Sequence, residues 1–438
     1  MKINNNTTPK FFRLLFLATL TIASPVASGK SKYTKANHSL ALRIEKIVAA
    51  YQHRSHAAVS VHAIDLSNGA TLCSIADDKL MIPASNAKIL TSAVVLKRLG
   101  RKFEFSTRLA IRGDDLVVIG DGDPTTGDAR LAKMKKKSIY AIFDNWAKIL
   151  KQRDIKQIRG NLVIEAGIFQ QPYVNPTWPR DQLQKWYAAP VAGVNFNDNC
   201  FDIRFVVEGN YVKPIISPMS RFIKIDCSVR RGKRNIWACI LNESNTSIKL
   251  RGTVRASMRS PLPVAIKNPP MLFATILADR LTRAGIKIKG RILISHRWPI
   301  DDSDYKIIAT SRTPLADAIW RANKQSLNMM AECLFLRSSA TDKSPANWKR
   351  AARLARKTLI EDFRINPQQF VIADGSGLSR QNKVTAAVLT SLLYQLRREK
   401  IFIHSLPIAG IDGTLRRRFH KSRCKGRICL LYTSDAAD

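Results

Sequence analysis

The chain has 438 residues, with 72 Lys and Arg against 33 Asp and Glu, a formal charge of +39. A composition 45% hydrophobic and 24% charged, without low-complexity tracts, excludes a disordered or fibrous protein and suits two or three globular domains. So large a positive charge calls for anionic surroundings: nucleic acid, an anionic lipid surface or a carboxylate-rich wall polymer.

Residues 1–28 read as an export signal. Lys2, Lys10 and Arg13 are basic, Leu14 to Ala23 is a short apolar run, and Val26-Ala27-Ser28 supplies small residues for cleavage. The run is too short to span a bilayer, and no later stretch is long and apolar enough. Export argues against nucleic acid and places the protein in the periplasm or cell-wall space, still carrying +36 after cleavage. The cations are scattered, with clusters at Lys133-Met134-Lys135-Lys136-Lys137 and Arg230-Arg231-Gly232-Lys233-Arg234. The plain reading is a solvated basic surface, and the alternative is peripheral contact with an anionic wall or membrane.

Leu40, Ile44, Ile47, Val48 and Tyr51 recur at helical spacing. Ala57 to Ile64 reads as a strand, Asn68-Gly69 as a hairpin turn and Ala70 to Ile75 as the returning strand. Pro83 precedes an apolar helix from about Ser85 to Leu99, with Gly100 as its stop. From 102 to 301 short β-type runs dominate: Leu116 to Ile119, Gly160 to Ile164, Phe201 to Val207 and Ile236 to Leu241. This stretch is expected to be a β-rich insertion of one or two small domains. Cys227 and Cys239 flank a polar, Gly-containing segment that reads as a hairpin, across which they can pair. Helical patterns return at Leu315 to Leu336, Trp348 to Phe363 and Ala386 to Arg398.

Three short segments can carry chemistry. In Ser85-Asn86-Ala87-Lys88 a helix would bring the lysine amine to the serine hydroxyl. Serine becomes a good nucleophile only beside a base. Lysine serves as base when burial or nearby cations lower its pKa, and Ile89, Leu90, Ala93 and Val94 supply an apolar setting. The spacing alone is weak evidence, since it recurs at Ser303–Lys306 and Ser422–Lys425; only Ser85 opens an apolar helix. Ser326-Leu327-Asn328 can aim a hydroxyl and an amide into one cleft when it forms a loop between helices, or Ser326 can simply cap the next helix. Asp374 to Ser379 is a Gly-rich turn without the basic residue of a phosphate loop. His53 and His56 lack further ligands at zinc spacing, so no metal or cofactor is expected; a Ser-His-Asp triad stays open, although no G-x-S-x-G elbow is present.

Together these segments resemble the low-molecular-mass penicillin-binding proteins with D-alanyl-D-alanine carboxypeptidase and endopeptidase activity, in the branch with a large insertion after the nucleophile. The resemblance runs from about 40 to 420. It rests on Pro83 to Lys88, Asn323 to Glu332, Asp374 to Ser379 with Val384-Thr385, and Leu406 to Leu415. Gly122-Asp123-Pro124, Ala189-Pro190 and Asn195-Phe196-Asn197 are landmarks of the insertion.

The resemblance implies an α/β (α+β) transpeptidase/β-lactamase-like domain over 30–101 and 302–428, an antiparallel sheet between helices, interrupted by the β-rich 102–301. It implies Ser85 as nucleophile, Lys88 as its base, Ser326 as proton relay to the leaving D-alanine and Asn328 as holder of the acyl amide. Asn323, Ser376 and Gly377 would contact substrate. The partners implied are peptidoglycan stem peptides, with β-lactam antibiotics as acylating inhibitors. A β-lactamase and a non-catalytic basic wall-binding protein of the same fold are the alternatives.

One departure stands out. No Lys-Thr-Gly, Lys-Ser-Gly or His-Thr-Gly occurs, and residues 429–438 resemble a translated sequencing adapter. The expectation is that the authentic sequence stops near Ile428, with C-terminal strands missing. The chain as written would then act weakly, since losing an oxyanion donor costs about 2.7–4 kcal/mol.

Overall fold

The computed structural model describes residues 3–4 and 35–429. The bulk of the expected signal segment and of the 429–438 tail lies outside the described residues. Among those described, no helix is long and apolar enough to cross a membrane. The described residues divide into two compact units, one made of 3–4, 102–318 and 328–351, the other of 35–101, 319–327 and 352–429. The fold class is mixed α/β, as the resemblance implies.

The first unit is built on a five-stranded sheet. Its order is Ile292–Ser295, Leu162–Glu165, Asp115–Ile119, Glu104–Arg112 and Lys306–Pro314. The first three strands run parallel and the last two join antiparallel. Parallel neighbours need a long crossover, and the helix Ala141–Gln152 supplies it between Asp115–Ile119 and Leu162–Glu165. Its apolar face, Phe143, Trp146 and Leu150, is wholly buried with Phe273 of the helix Pro269–Arg283. The region expected to be β-rich therefore contains helices that organise its core. Short β-type runs are conspicuous in sequence, whereas a single amphipathic helix among them is not.

A second sheet of this unit corrects the cysteine reading. Lys224–Arg231 and Ile236–Leu241 look like two arms of a hairpin but do not pair with each other. Ser247–Val254 lies between them, parallel to the first and antiparallel to the second. Cys227 and Cys239 both stand opposite Leu250, on its two sides. Strands two apart are separated by about 9–10 Å, beyond the Cα separation of about 7 Å that a disulfide tolerates. Both thiols are free, and burial pushes that of Cys239 up to about 12.

The second unit opens with the helix Lys35–Ser55, which lies on the hairpin Val61–Ile64 and Thr71–Ile75. The loop at Asn68-Gly69 is wider than a two-residue turn. Asp65 N bonds Ala70 O, Gly69 N bonds Asp65 O, and Gly69 takes φ +79. A 3-10 turn, Ala84–Asn86, then leads into the helix Ala87–Leu99, whose residues from Ala87 to Leu96 are all buried. A helix whose first ten residues are all buried belongs in the centre of a core, and this one packs against the helix Ala386–Leu396.

The sheet geometry predicts that mild oxidation leaves Cys227 and Cys239 unbridged. Peptide mapping should recover both as reactive thiols after unfolding, and a 227–239 disulfide-linked peptide would show the strand order to be wrong.

Candidate active site

Pro83 positions the chain for a turn, and Ala84 adopts φ +44, a left-handed conformation costly for a residue with a Cβ. That turn delivers Ser85 to the start of the buried helix. Lys88, one turn on, is 1% exposed and Ser85 8%. The Lys88 Nζ donates to Ser85 Oγ at 3.1 Å and to the Ser376 carbonyl at 3.0 Å. The i, i+3 spacing is thus realised as a buried amine–hydroxyl contact. The other Ser-x-x-Lys matches are different: Lys306 opens a strand, and Ser422 and Lys425 lie in a turn.

The helical pattern expected over Leu315 to Leu336 is broken in the middle. One helix spans Leu315–Lys324 and the next Asn328–Arg337. At the break Ser326 takes φ +56, and its Oγ donates to Ser85 Oγ at 2.9 Å. The apolar periodicity continues across the gap, so in sequence the break is signalled only by Ser326 and Asn328, read as a loop or a cap.

Asn323, expected to contact substrate, is buried instead. Its Nδ2 donates to Ser92 Oγ at 3.0 Å and Ser405 Oγ at 2.8 Å, so it braces the helix that carries Lys88. Lys324 is also buried, with its Nζ 2.8 Å from the Asp412 carboxylate, which in turn accepts from Ile408 N at 2.8 Å. Asn328 opens its helix in the first unit, where its Nδ2 donates to the Tyr187 carbonyl at 2.8 Å.

Ser376 and Gly377 lie in a turn in which Ser376 Oγ accepts from Leu378 N at 3.3 Å. The Asp374 carboxylate accepts from Gly377 N at 2.8 Å, Ser379 N at 2.6 Å and Asn382 Nδ2 at 2.7 Å. The turn so tied presents the Gly375 carbonyl to Thr91 Oγ1 at 2.7 Å and the Ser376 carbonyl to Lys88. Gly377 has φ +89, and a Cβ there would lie 1.7 Å from the Ala84 carbonyl oxygen. Thr91 and Asn382 escaped sequence reading; Thr91 is signalled only by its i+3 spacing from Lys88, and Asn382 by nothing local.

The insertion landmarks also come together, within the first unit. Asp123 accepts from Thr125 N and Oγ1, and the Asn195 amide reaches the Asp123 carbonyl. Asn199 Nδ2 donates to the Pro190 carbonyl and to Asn195 Oδ1. Burial pushes the Asp123 carboxyl up, against the lowering effect of the Thr125 hydrogen bonds. Among the described residues no group of three His, Cys, Asp or Glu is placed to hold a metal.

A buried lysine and a second serine converging on one serine hydroxyl define the serine acyl-transfer enzymes that use a Ser-x-x-Lys nucleophile. The chain belongs to the D-Ala-D-Ala carboxypeptidase 3 (S13) family, whose model matches residues 40–429. It is 26% identical over 356 residues to D-alanyl-D-alanine carboxypeptidase DacB of Haemophilus influenzae, covering 76% of this chain and 71% of that one. A D-alanyl-D-alanine carboxypeptidase of Actinomadura sp. (strain R39) is 24% identical over 395 residues, covering 84% and 71%. The crystal structure of penicillin binding protein 4 (dacB) from Haemophilus influenzae shares the fold. It superposes with a TM-score of 0.69 at 24% identity, over 85% of this chain and 83% of that one. The same protein complexed with a β-lactam gives 0.65.

Gly377→Ala is predicted to push the Ala84 carbonyl away and displace Ser85. A displacement near 1 Å can cost about 10²-fold in rate. Stopped-flow acylation by a chromogenic β-lactam should show that loss while circular dichroism stays native; an unchanged rate would mean the close approach does not position the nucleophile.

Proposed function

We propose that this protein is a serine D-alanyl-D-alanine carboxypeptidase acting on peptidoglycan stem peptides in the periplasm or cell-wall space. The observation that carries the reading is the Ser85 hydroxyl held between the Lys88 amine at 3.1 Å and the Ser326 hydroxyl at 2.9 Å, all within one unit.

The chemistry follows from that arrangement. Ser85 Oγ attacks the carbonyl between the two terminal D-alanines, and an ester bond forms as the C–N bond breaks. Lys88, whose amine lies 3.1 Å from the hydroxyl, takes its proton. Ser326, in contact with Ser85 Oγ, passes a proton to the departing D-alanine nitrogen. The Ser85 N–H, close to a helix N-terminus, faces the developing oxyanion. Asn328 is assigned the amide of the acyl group, following the family's pattern. Water then hydrolyses the ester and frees the shortened peptide. A cross-link between stem peptides presents the same D-alanyl carbonyl, so endopeptidase cleavage uses the same steps. A β-lactam offers a strained amide to the same serine and is expected to leave a covalent adduct on it.

Labelled penicillin provides the test. Wild-type protein should acquire one adduct, mapped to Ser85, and Ser85→Ala none. Lys88→Met and Ser326→Ala should slow acylation by roughly 10²–10⁴-fold, the usual worth of a positioned acid or base. Undiminished labelling of Ser85→Ala would refute the assignment.

A further inference from the structure

The cluster Arg230 to Arg234 plays no part in the chemistry above, yet the structure gives it a definite place. It lies on the second sheet of the first unit. One face of that sheet buries Val229, Trp237, Ile248, Leu250 and Val254. The opposite face of Lys224–Arg231 and Ser247–Val254 presents Lys224, Asp226, Ser228 and Arg230 beside Lys249 and Arg251. Residues 224–235 and 247–255, which include the turn after Arg231, hold eight Lys or Arg and a single acid, Asp226. That acid is already paired with Arg251. The side chains of Arg230, Lys233, Arg234 and Lys249 are exposed and form no hydrogen bond or ion pair with the described residues.

From this we infer a docking surface for a carboxylate-bearing polymer, the peptidoglycan strand itself. The identification of the polymer rests on the function proposed above. The cations are spread along strands roughly 23–27 Å long and do not converge on a pocket, so the face matches repeated charges better than one small anion. An interfacial membrane site would require apolar and aromatic side chains to insert between the charges. Here the exposed apolar residue on this face is Ile240, at 53%, on the strand beyond Lys249. Docking would keep the catalytic serine at high local concentration of its substrate.

The full chain and a Arg230→Gln/Lys233→Gln/Arg234→Gln/Lys249→Gln variant would be sedimented with purified sacculi, with sacculi whose carboxylates have been amidated, and with vesicles of anionic lipid. The expected result is retention of wild type on native sacculi that fades as salt rises from about 0.05 to about 0.5 M. The variant should bind about tenfold more weakly, and amidated sacculi should lose wild-type binding, while penicillin labelling of Ser85 and hydrolysis of a soluble dipeptide substrate stay unchanged. Equal binding by the variant, equal binding to amidated sacculi, or preference for vesicles would overturn the inference. If Ser85 is not labelled but sacculus binding still falls in the variant, the surface stands and the catalytic reading is what fails.

Discussion

The amine of Lys88 is the point around which the second unit is organised. It lies inside a helix buried on every side, where an amine without acceptors would be expensive. Ser85 Oγ and the Ser376 carbonyl receive its protons, and those two groups come from segments almost three hundred residues apart. Everything nearby serves to hold them there. Asp374 ties the turn that carries Ser376, Gly377 leaves room for the Ala84 carbonyl, and Thr91 fastens the adjacent Gly375 carbonyl. The left-handed conformations of Ala84 and Ser326 are local costs imposed by the same requirement, that two hydroxyls and one amine meet.

Bracing of this kind explains why several motif residues are buried and away from solvent. Asn323 joins two helices through Ser92 and Ser405, and Lys324 pins the Leu406 to Leu415 segment through Asp412. These motif residues thus join separate segments of the second unit. The hydrogen bonds that Asn323 Nδ2 and Lys324 Nζ make hold the surrounding loops in one arrangement, while Asn323 Oδ1 is buried without a partner among the described residues.

The first unit solves a different problem. Its parallel strands demand a crossover, and the helix Ala141–Gln152 both makes the connection and fills the core with Phe143 and Trp146. The polar knot around Asp123 and Asn195 closes the loops after those strands. Its second sheet is basic on one face and apolar on the other. Binary alternation along the strands produces that division, which turns part of the large positive charge into a localised feature.

The sequence by itself determined the local events. The hairpin before Ser85, the apolar helix starting after it and the strand Ile236–Leu241 were all legible, because they depend on periodicity of two or 3.6 and on turn residues a few positions away. Tertiary structure decided what lies farther apart. A loop or helix start at Ser326 could be read from its residues, but its left-handed turn and its contact with Ser85 Oγ could not. The insertion of Ser247–Val254 between two strands that look like a hairpin depends on long-range pairing, and it separates Cys227 from Cys239. The partners of Lys88 depend on a turn almost three hundred residues away, and no local propensity encodes such a contact. Those choices are made by the burial of apolar faces and the need to satisfy buried polar groups, both of which are sums over the whole fold.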